Sequence, residues 1–112
     1  MDFAAGQGVL GRIRFADGNM PEYDRTYLIA AVTDDYLEVL NVSSIKGKER
    51  KLFFPSNERL RIYYPPFVKP SFVKLDSLTK VYKNDWNHLK ILCGGRTLDK
   101  NEFERILNLL QQ

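Results

Sequence analysis

Alternating apolar and polar residues predict short β-strands in the first half of the chain. Val9 to Phe15 alternates around two arginines, which is typical of a strand with one face in water. Residues 27–32 (YLIAAV) are apolar throughout and fit a central strand covered on both sides. Asp34-Asp35 supplies a turn before Tyr36 to Val42, so these two runs predict a β-hairpin in the middle of a sheet.

Three further apolar runs predict strands in the second half of the chain. They are KLFF (51–54), RLRIYY (59–64) and, past the Pro65-Pro66 break, SFVKLDSL (71–78). In the last run Phe72 and Lys74 fall on one face of the strand, whereas Val73 and Leu75 fall on the other. Many short strands with frequent turns predict a small barrel.

The end of the chain changes to helical spacing. Apolar residues recur at this spacing over residues 103–110, and Asp99 followed three residues later by Glu102 predicts a capping box. We therefore expect a mainly β fold with a C-terminal amphipathic helix packed on the barrel. A chain of 112 residues is long enough for one compact domain, which we place over residues 1–112.

Composition and charge narrow the classes of function. No apolar run approaches the roughly 20 residues of a membrane helix, and the start MDFAAGQG lacks the regions of a signal peptide, so we expect a cytoplasmic protein. One cysteine, Cys93, and one histidine, His88, provide neither an internal disulfide nor a Cys/His cluster for zinc, and we predict no cofactor. The net charge of +3 fits either a polyanionic ligand or a solvated basic face.

The stretch VLNVSSIKGKERK (39–51) concentrates polar and cationic groups where an apolar strand ends. Two serines, Ser43 and Ser44, are followed by a loop that carries Lys46, Lys48 and Arg50. Hydroxyl groups beside a cluster of cations are suited to bind a phosphate. The alternative is a polar turn that closes a hairpin, with no ligand.

Four segments in this order resemble the MazF/PemK-like toxins of type II toxin-antitoxin systems. They are DRTYLIAAV, VLNVSS, PSFVKLDSLTKV and LDKNEFERILNLL, and the likeness spans about residues 8–110. The resemblance implies a small SH3-like barrel of the CcdB/PemK type with a C-terminal helix, usually as a homodimer. It also implies a sequence-selective, metal-independent endoribonuclease that cleaves single-stranded mRNA and is held in check by an antitoxin.

The resemblance also assigns a catalytic pair. In the family an arginine just before the central strand acts with a serine or threonine at the end of the next strand, and these positions match Arg25 and Ser43. Two features depart from the family. Thr26 replaces the proline that usually follows the arginine, and the preceding loop is NMPEYD rather than a glycine-rich loop that carries a glutamine.

Metal-free RNA cleavage uses the neighbouring 2′-hydroxyl as nucleophile, and the protein must stabilise the charge on the phosphorane. Arg25 can hold two phosphate oxygens through its planar guanidinium, which makes it a transition-state clamp. Ser43 would donate a hydrogen bond to the phosphate or orient the attacking hydroxyl, and Ser44 would point to the opposite face of the strand. The nearby cations Lys46, Lys48 and Arg50 would hold the flanking RNA backbone.

Several alternatives stay open at the level of sequence. Tyr23, Tyr27 and the Phe53-Phe54 pair are candidates for base stacking, although aromatic residues are more often core. Arg25 could instead form a surface ion pair with Asp24 or Glu22. The alternative function is a non-catalytic barrel that binds RNA or a protein partner, and related toxins with this fold poison DNA gyrase.

Overall fold

An antiparallel sheet and one α-helix make up the fold. A computed structural model describes residues 2–14 and 17–112, and within these ranges it has seven strands and one α-helix. They are β1 (Gly8–Gly11), β2 (Arg25–Val32), β3 (Tyr36–Ser44), β4 (Asn57–Arg59), β5 (Ser71–Lys74), β6 (Thr79–Tyr82), β7 (Lys90–Ile91) and α1 (Lys100–Leu110). Short 3₁₀ helices lie at Glu49–Phe53, Lys83–His88 and Cys93–Gly95. The prediction of a mainly β fold with a C-terminal helix is confirmed.

The strands form one sheet in the order β4-β5-β3-β2-β1-β7, and β6 also pairs with β3. All pairs are antiparallel. The long strand β3 pairs along one edge with β2, and along its other edge first with β6 and then with β5. Among the described strands no pairing joins β4 to β7, so the hydrogen bonds do not close the sheet into a ring.

The central strand β2 is apolar on both faces because each face packs against a separate core. Ile29 lies in a buried cluster with Val39 and Val81 on one face. Leu28 lies in a second cluster with Ile106 of α1 on the other face. The continuous apolar run of β2 therefore reflects burial on two sides, as its sequence predicts.

The amphipathic helix begins where the sequence predicts it. The carboxylate of Asp99 accepts a hydrogen bond from the backbone N–H of Glu102 at 3.0 Å, which is the first half of a capping box. The side chain of Glu102 instead accepts hydrogen bonds from the backbone N–H of Arg61 and from the guanidinium of Arg105. Glu102 thus ties the first turn of α1 to the segment that follows β4.

Two predicted strands are wrong. KLFF falls largely in the 3₁₀ helix Glu49–Phe53, and RLRIYY shares only its first residue with β4. The predicted strand from Val9 is β1, which already ends at Gly11, and Phe15 lies outside the described residues. Within residues 2–14 and 17–112 no helix is both long and apolar enough to span a bilayer.

Candidate functional site

One face of the sheet changes from apolar to polar toward the end where β2 begins and β3 ends. Ile29 pairs with Val39, and both are fully buried. The next pair on the same face is Tyr27 with Asn41. One further step along each strand brings Arg25 and Ser43 onto this face. The pleat of the hairpin therefore places the predicted catalytic pair side by side.

Arg25 and Ser43 border the same cavity, which has a volume of about 180 Å³ and is also lined by Asn41 and Lys48. Both side chains are half-buried. The guanidinium carbon of Arg25 lies 5.0 Å from the centre of the Tyr23 ring, and Nη2 lies 3.4 Å from the Tyr23 hydroxyl. Tyr23 thereby restricts where the guanidinium can point.

Two side-chain hydrogen bonds of different length lie at the strand ends that carry this pair. The hydroxyl of Thr26 donates to the backbone carbonyl of Val42 at 2.6 Å, which ties the start of β2 to the end of β3. The hydroxyl of Ser43 donates a longer hydrogen bond, 3.4 Å, to the side-chain oxygen of Asn41. Thr26 therefore joins the two strand ends through its side-chain hydroxyl.

The site lies where β3 changes its pairing partner from β6 to β5. At this break the backbone N–H of Asn41 has no strand partner, and the hydroxyl of Ser77 accepts its hydrogen bond at 2.8 Å. The Ser77 hydroxyl in turn donates to the carbonyl of Lys74 at 2.6 Å. A polar turn between β5 and β6 thus replaces the missing ladder bond and forms one wall of the site.

Lys74 is the residue that the structure adds to the predicted pair. It borders a second cavity of about 240 Å³ together with Arg25, Asn41 and Ser77. Burial lowers the pKa of Lys74, and the charges of Arg25, Lys48 and Lys51 lower it further against a smaller opposite effect of Asp76. Arg25 lines both cavities, so an anion bound beside it lies within the field of several cations.

The other predicted residues divide into three groups. Ser44 alternates onto the opposite face of β3, where it pairs with Ser71, although it also lies at the rim of the smaller cavity. Lys46 is exposed on the loop after β3 and Arg50 in the 3₁₀ helix that follows, and Lys48 reaches the cavity that contains Arg25 and Ser43. Of these three cations only Lys48 lines the cavity.

The aromatic candidates for base stacking separate by exposure. Tyr23 is 60% exposed, Phe53 87% and Phe54 53%, so these rings present faces to solvent. Tyr27 is only 6% exposed and packs in the core beside Ile29. Burial raises the pKa of Tyr27 against smaller opposite effects of Arg25 and a backbone hydrogen bond from Ile13. Because a stacking residue must offer a free ring face, we withdraw the stacking role of Tyr27.

Of the remaining chemistry-bearing residues, Asp24 lines the cavity of Arg25 and Ser43, whereas His88 and Cys93 line other cavities. Asp24, considered in the sequence as a partner of Arg25, forms an ion pair with Arg12 at 3.5 Å. His88 and Cys93 border two different cavities, so the structure does not present them as a pair. Over residues 2–14 and 17–112 no group of three or more His, Cys, Asp or Glu side chains is placed to hold a metal ion.

No model of a known protein family matches this chain, and no curated protein matches its sequence. The residues of the site and their geometry therefore carry the functional inference. They bring together a guanidinium, a hydroxyl and an ammonium group on one face of the sheet. Such a set of hydrogen-bond donors is suited to bind a phosphate and to stabilise extra negative charge on it.

Proposed function

We propose that this protein is a toxin-like, metal-independent endoribonuclease that cleaves single-stranded RNA, with its sheet built as a small SH3-like barrel of the CcdB/PemK type. The observation that carries the proposal is the shared cavity of Arg25 and Ser43, the two positions that match the catalytic pair of the MazF/PemK-like toxins. Lys74 next to Arg25 supplies a further cation that a phosphorane requires. By the same resemblance, the chain forms a homodimer and is inhibited by an antitoxin.

The reaction is an attack of the ribose 2′-oxygen on the adjacent phosphorus. The bond from phosphorus to the 5′-oxygen breaks, which leaves a 2′,3′-cyclic phosphate on one product and a 5′-hydroxyl on the other. Arg25 binds two non-bridging oxygens through its planar guanidinium, and this interaction strengthens as their charge increases in the transition state. Ser43 donates a hydrogen bond to the same phosphate.

The leaving 5′-oxygen needs a proton, and Lys74 is better suited to provide it than Arg25. An arginine holds its proton at any working pH, which makes it a poor acid. The ammonium group of Lys74 has a lowered pKa because it is partly buried and surrounded by cations. The proton of the 2′-hydroxyl passes to solvent, so each step balances without a second titrating group.

The RNA strand on either side of the reacting phosphate meets the basic loop and exposed aromatic rings. The loop cations Lys46, Lys48 and Arg50 attract the flanking phosphates. The exposed Phe53 and Phe54 follow directly on this loop, and the ammonium group of Lys51 lies 5.6 Å from the centre of the Phe54 ring. Exposed aromatic rings beside cations are typical of surfaces that stack single-stranded bases.

The test is cleavage of a long, mixed-sequence RNA in EDTA by the wild type, Arg25→Ala and the matched control Arg61→Ala. Arg61 is exposed near α1, away from both cavities of the site, so its removal changes the net charge equally. We expect cyclic phosphate ends at a recurring short motif, lost in Arg25→Ala and kept in Arg61→Ala. RNA that stays intact with the wild type, while binding weakens steeply with salt, would instead identify a non-catalytic binding module.

A further inference from the structure

The site continues into a third and larger cavity on the same face of the sheet. This cavity has a volume of about 500 Å³, and it shares Ile13, Arg14 and Thr79 with the cavity of Arg25 and Lys74. Shared walls join the two cavities into one trough, which begins beside Arg25 and ends beside His88. A volume of this size is in the range of sites that hold a small organic group.

The walls of the third cavity combine apolar surface with polar edges. Ile13 and Val81 are buried at its base, and the exposed side chains of Met20 and Leu78 lie at its rim. A flat aromatic group placed here would cover these apolar side chains. Asp85 and His88 also border the cavity, so its edge offers both an acceptor and a donor of hydrogen bonds.

Two arginines stand where a strand leaving the reaction site would enter this cavity. Arg14 borders both cavities, and its Nη1 donates to the carbonyl of Gly18 at 2.6 Å, which holds the side chain in place. Arg12 borders the third cavity and pairs with Asp24 at 3.5 Å, with both side chains about half exposed. Such an exposed pair is weak, so a phosphate can compete with Asp24 for Arg12.

The far wall of the cavity depends on a close backbone approach at Gly11. A side chain at this position would bring its first carbon within 2.8 Å of the carbonyl oxygen of His88. Glycine therefore allows the 3₁₀ helix Lys83–His88 to lie against the end of β1. This contact brings His88 and Asp85 to the cavity that Arg12 also borders.

We propose that the third cavity is a nucleotide subsite of the substrate RNA. It binds the base of a nucleotide one step removed from the reacting phosphate on the apolar side chains of Met20 and Leu78, while Arg14 binds the phosphate that connects this nucleotide to its neighbour at the reaction site. Acceptor and donor groups at its edge then discriminate between bases, which makes the cavity a determinant of sequence selectivity. This inference rests on the proposed function for the identity of the ligand.

The test measures affinity for RNA that cannot be cleaved, because every sugar carries a 2′-O-methyl group. Oligonucleotides of one mixed sequence are lengthened one nucleotide at a time, in each direction, and the dissociation constant is measured for wild type, Arg14→Ala, Leu78→Ala and the control Arg61→Ala. We expect one added nucleotide to tighten binding by roughly 10- to 100-fold, the range of a hydrogen bond between charged groups, as a phosphate reaches Arg14 and the base covers Leu78. This step should shrink at least fivefold in Arg14→Ala and Leu78→Ala and persist in Arg61→Ala.

RNA binding and RNA cleavage are measured separately, so the nucleotide subsite and the proposed nuclease can fail independently. If the gain in affinity from the added nucleotide is unchanged in both Arg14→Ala and Leu78→Ala, the subsite is overturned, even if the wild type cleaves RNA. A step that disappears in both variants would support the subsite, even if unmodified RNA stays intact and the nuclease proposal falls. Absence of RNA binding at every length would overturn both.

Discussion

Ser43 and Ser44 allow the proposed chemistry to be tested with two identical substitutions one residue apart. Ser43 lies on the face of β3 that carries Arg25, whereas Ser44 alternates to the face that carries Ser71. Replacement by alanine removes one hydroxyl in each case and leaves the charge and backbone unchanged. We expect Ser43→Ala to lose most of the RNA cleavage activity and Ser44→Ala to keep it.

The structure sets the two magnitudes for Ser43→Ala. Its hydroxyl is half-buried and donates one hydrogen bond of 3.4 Å, which is at the long limit of this interaction. A well-formed hydrogen bond contributes about 1 kcal/mol to stability, so the free energy of unfolding should fall by less than about 1 kcal/mol. Loss of a donor that binds developing charge lowers the rate of the chemical step about 10²- to 10³-fold.

Two measurements check this separation of stability from activity. Urea unfolding gives the free energy of unfolding, and single-turnover cleavage of RNA at saturating protein gives the rate of the chemical step. We expect Ser44→Ala to cleave within about threefold of the wild type, since its hydroxyl lies at the rim of the cavity and on the face of β3 opposite Arg25. If Ser43→Ala cleaves as fast as wild type, or if both variants lose activity equally, the Ser43 hydroxyl does not have the proposed role at the phosphate.

The remaining predictions concern the proton donor Lys74, the buried carboxylate of Glu102 and the exposed ring of Phe53. In the free protein kcat/KM should fall as pH rises through the lowered pKa of Lys74. Lys74→Arg should lower kcat/KM and remove this fall, because an arginine keeps the charge but is a poor proton donor, as a pH–rate profile would reveal. Burial alone would raise the pKa of Glu102, but hydrogen bonds from Arg105 and the backbone of Arg61 outweigh burial and lower this pKa. The ionised carboxylate of Glu102 therefore stabilises the fold, and this stabilisation is lost as the pH falls through the lowered pKa. Glu102→Gln should therefore lose about 2–3 kcal/mol at pH 7 in urea unfolding, and the difference should shrink in acid; a constant difference would contradict the linkage. Phe53→Ala should leave stability unchanged and weaken binding of single-stranded RNA by roughly 5- to 100-fold in a titration, whereas equal affinity would exclude Phe53 from the RNA surface.

The local sequence pattern was enough to predict the β2–β3 hairpin and the start of α1. The apolar run of β2 and the turn at Asp34-Asp35 specify neighbouring strands, and alternation along them then places Arg25 and Ser43 on one face. Asp99 caps α1 as its sequence predicts, since a capping bond depends on residues only three apart. These features share one property, which is that the interacting residues are close in sequence.

Features that depend on distant residues could not be predicted in this way. KLFF has the apolar character of a buried strand, yet the tertiary fold leaves Phe53 87% exposed at the end of a 3₁₀ helix. The side chain of Asn57 donates to the carbonyl of Lys51 at 2.8 Å and helps to hold this segment out of the sheet. Lys74 joins Arg25 only because β5 pairs with the far half of β3, which no local pattern specifies.

The same break in strand pairing explains both the stability of the site and its chemistry. Where β3 passes from β6 to β5, the backbone N–H of Asn41 needs an acceptor, and the hydroxyl of Ser77 provides it at 2.8 Å. An uninterrupted strand beside β3 would satisfy Asn41 without this turn and would leave no need for the polar wall that Ser77 forms. The gap in the ladder instead brings polar groups to a face that is apolar further along, and the cationic groups of Arg25 and Lys74 meet there. In our interpretation the candidate site is thus a direct consequence of how the sheet accommodates two short strands along one long edge.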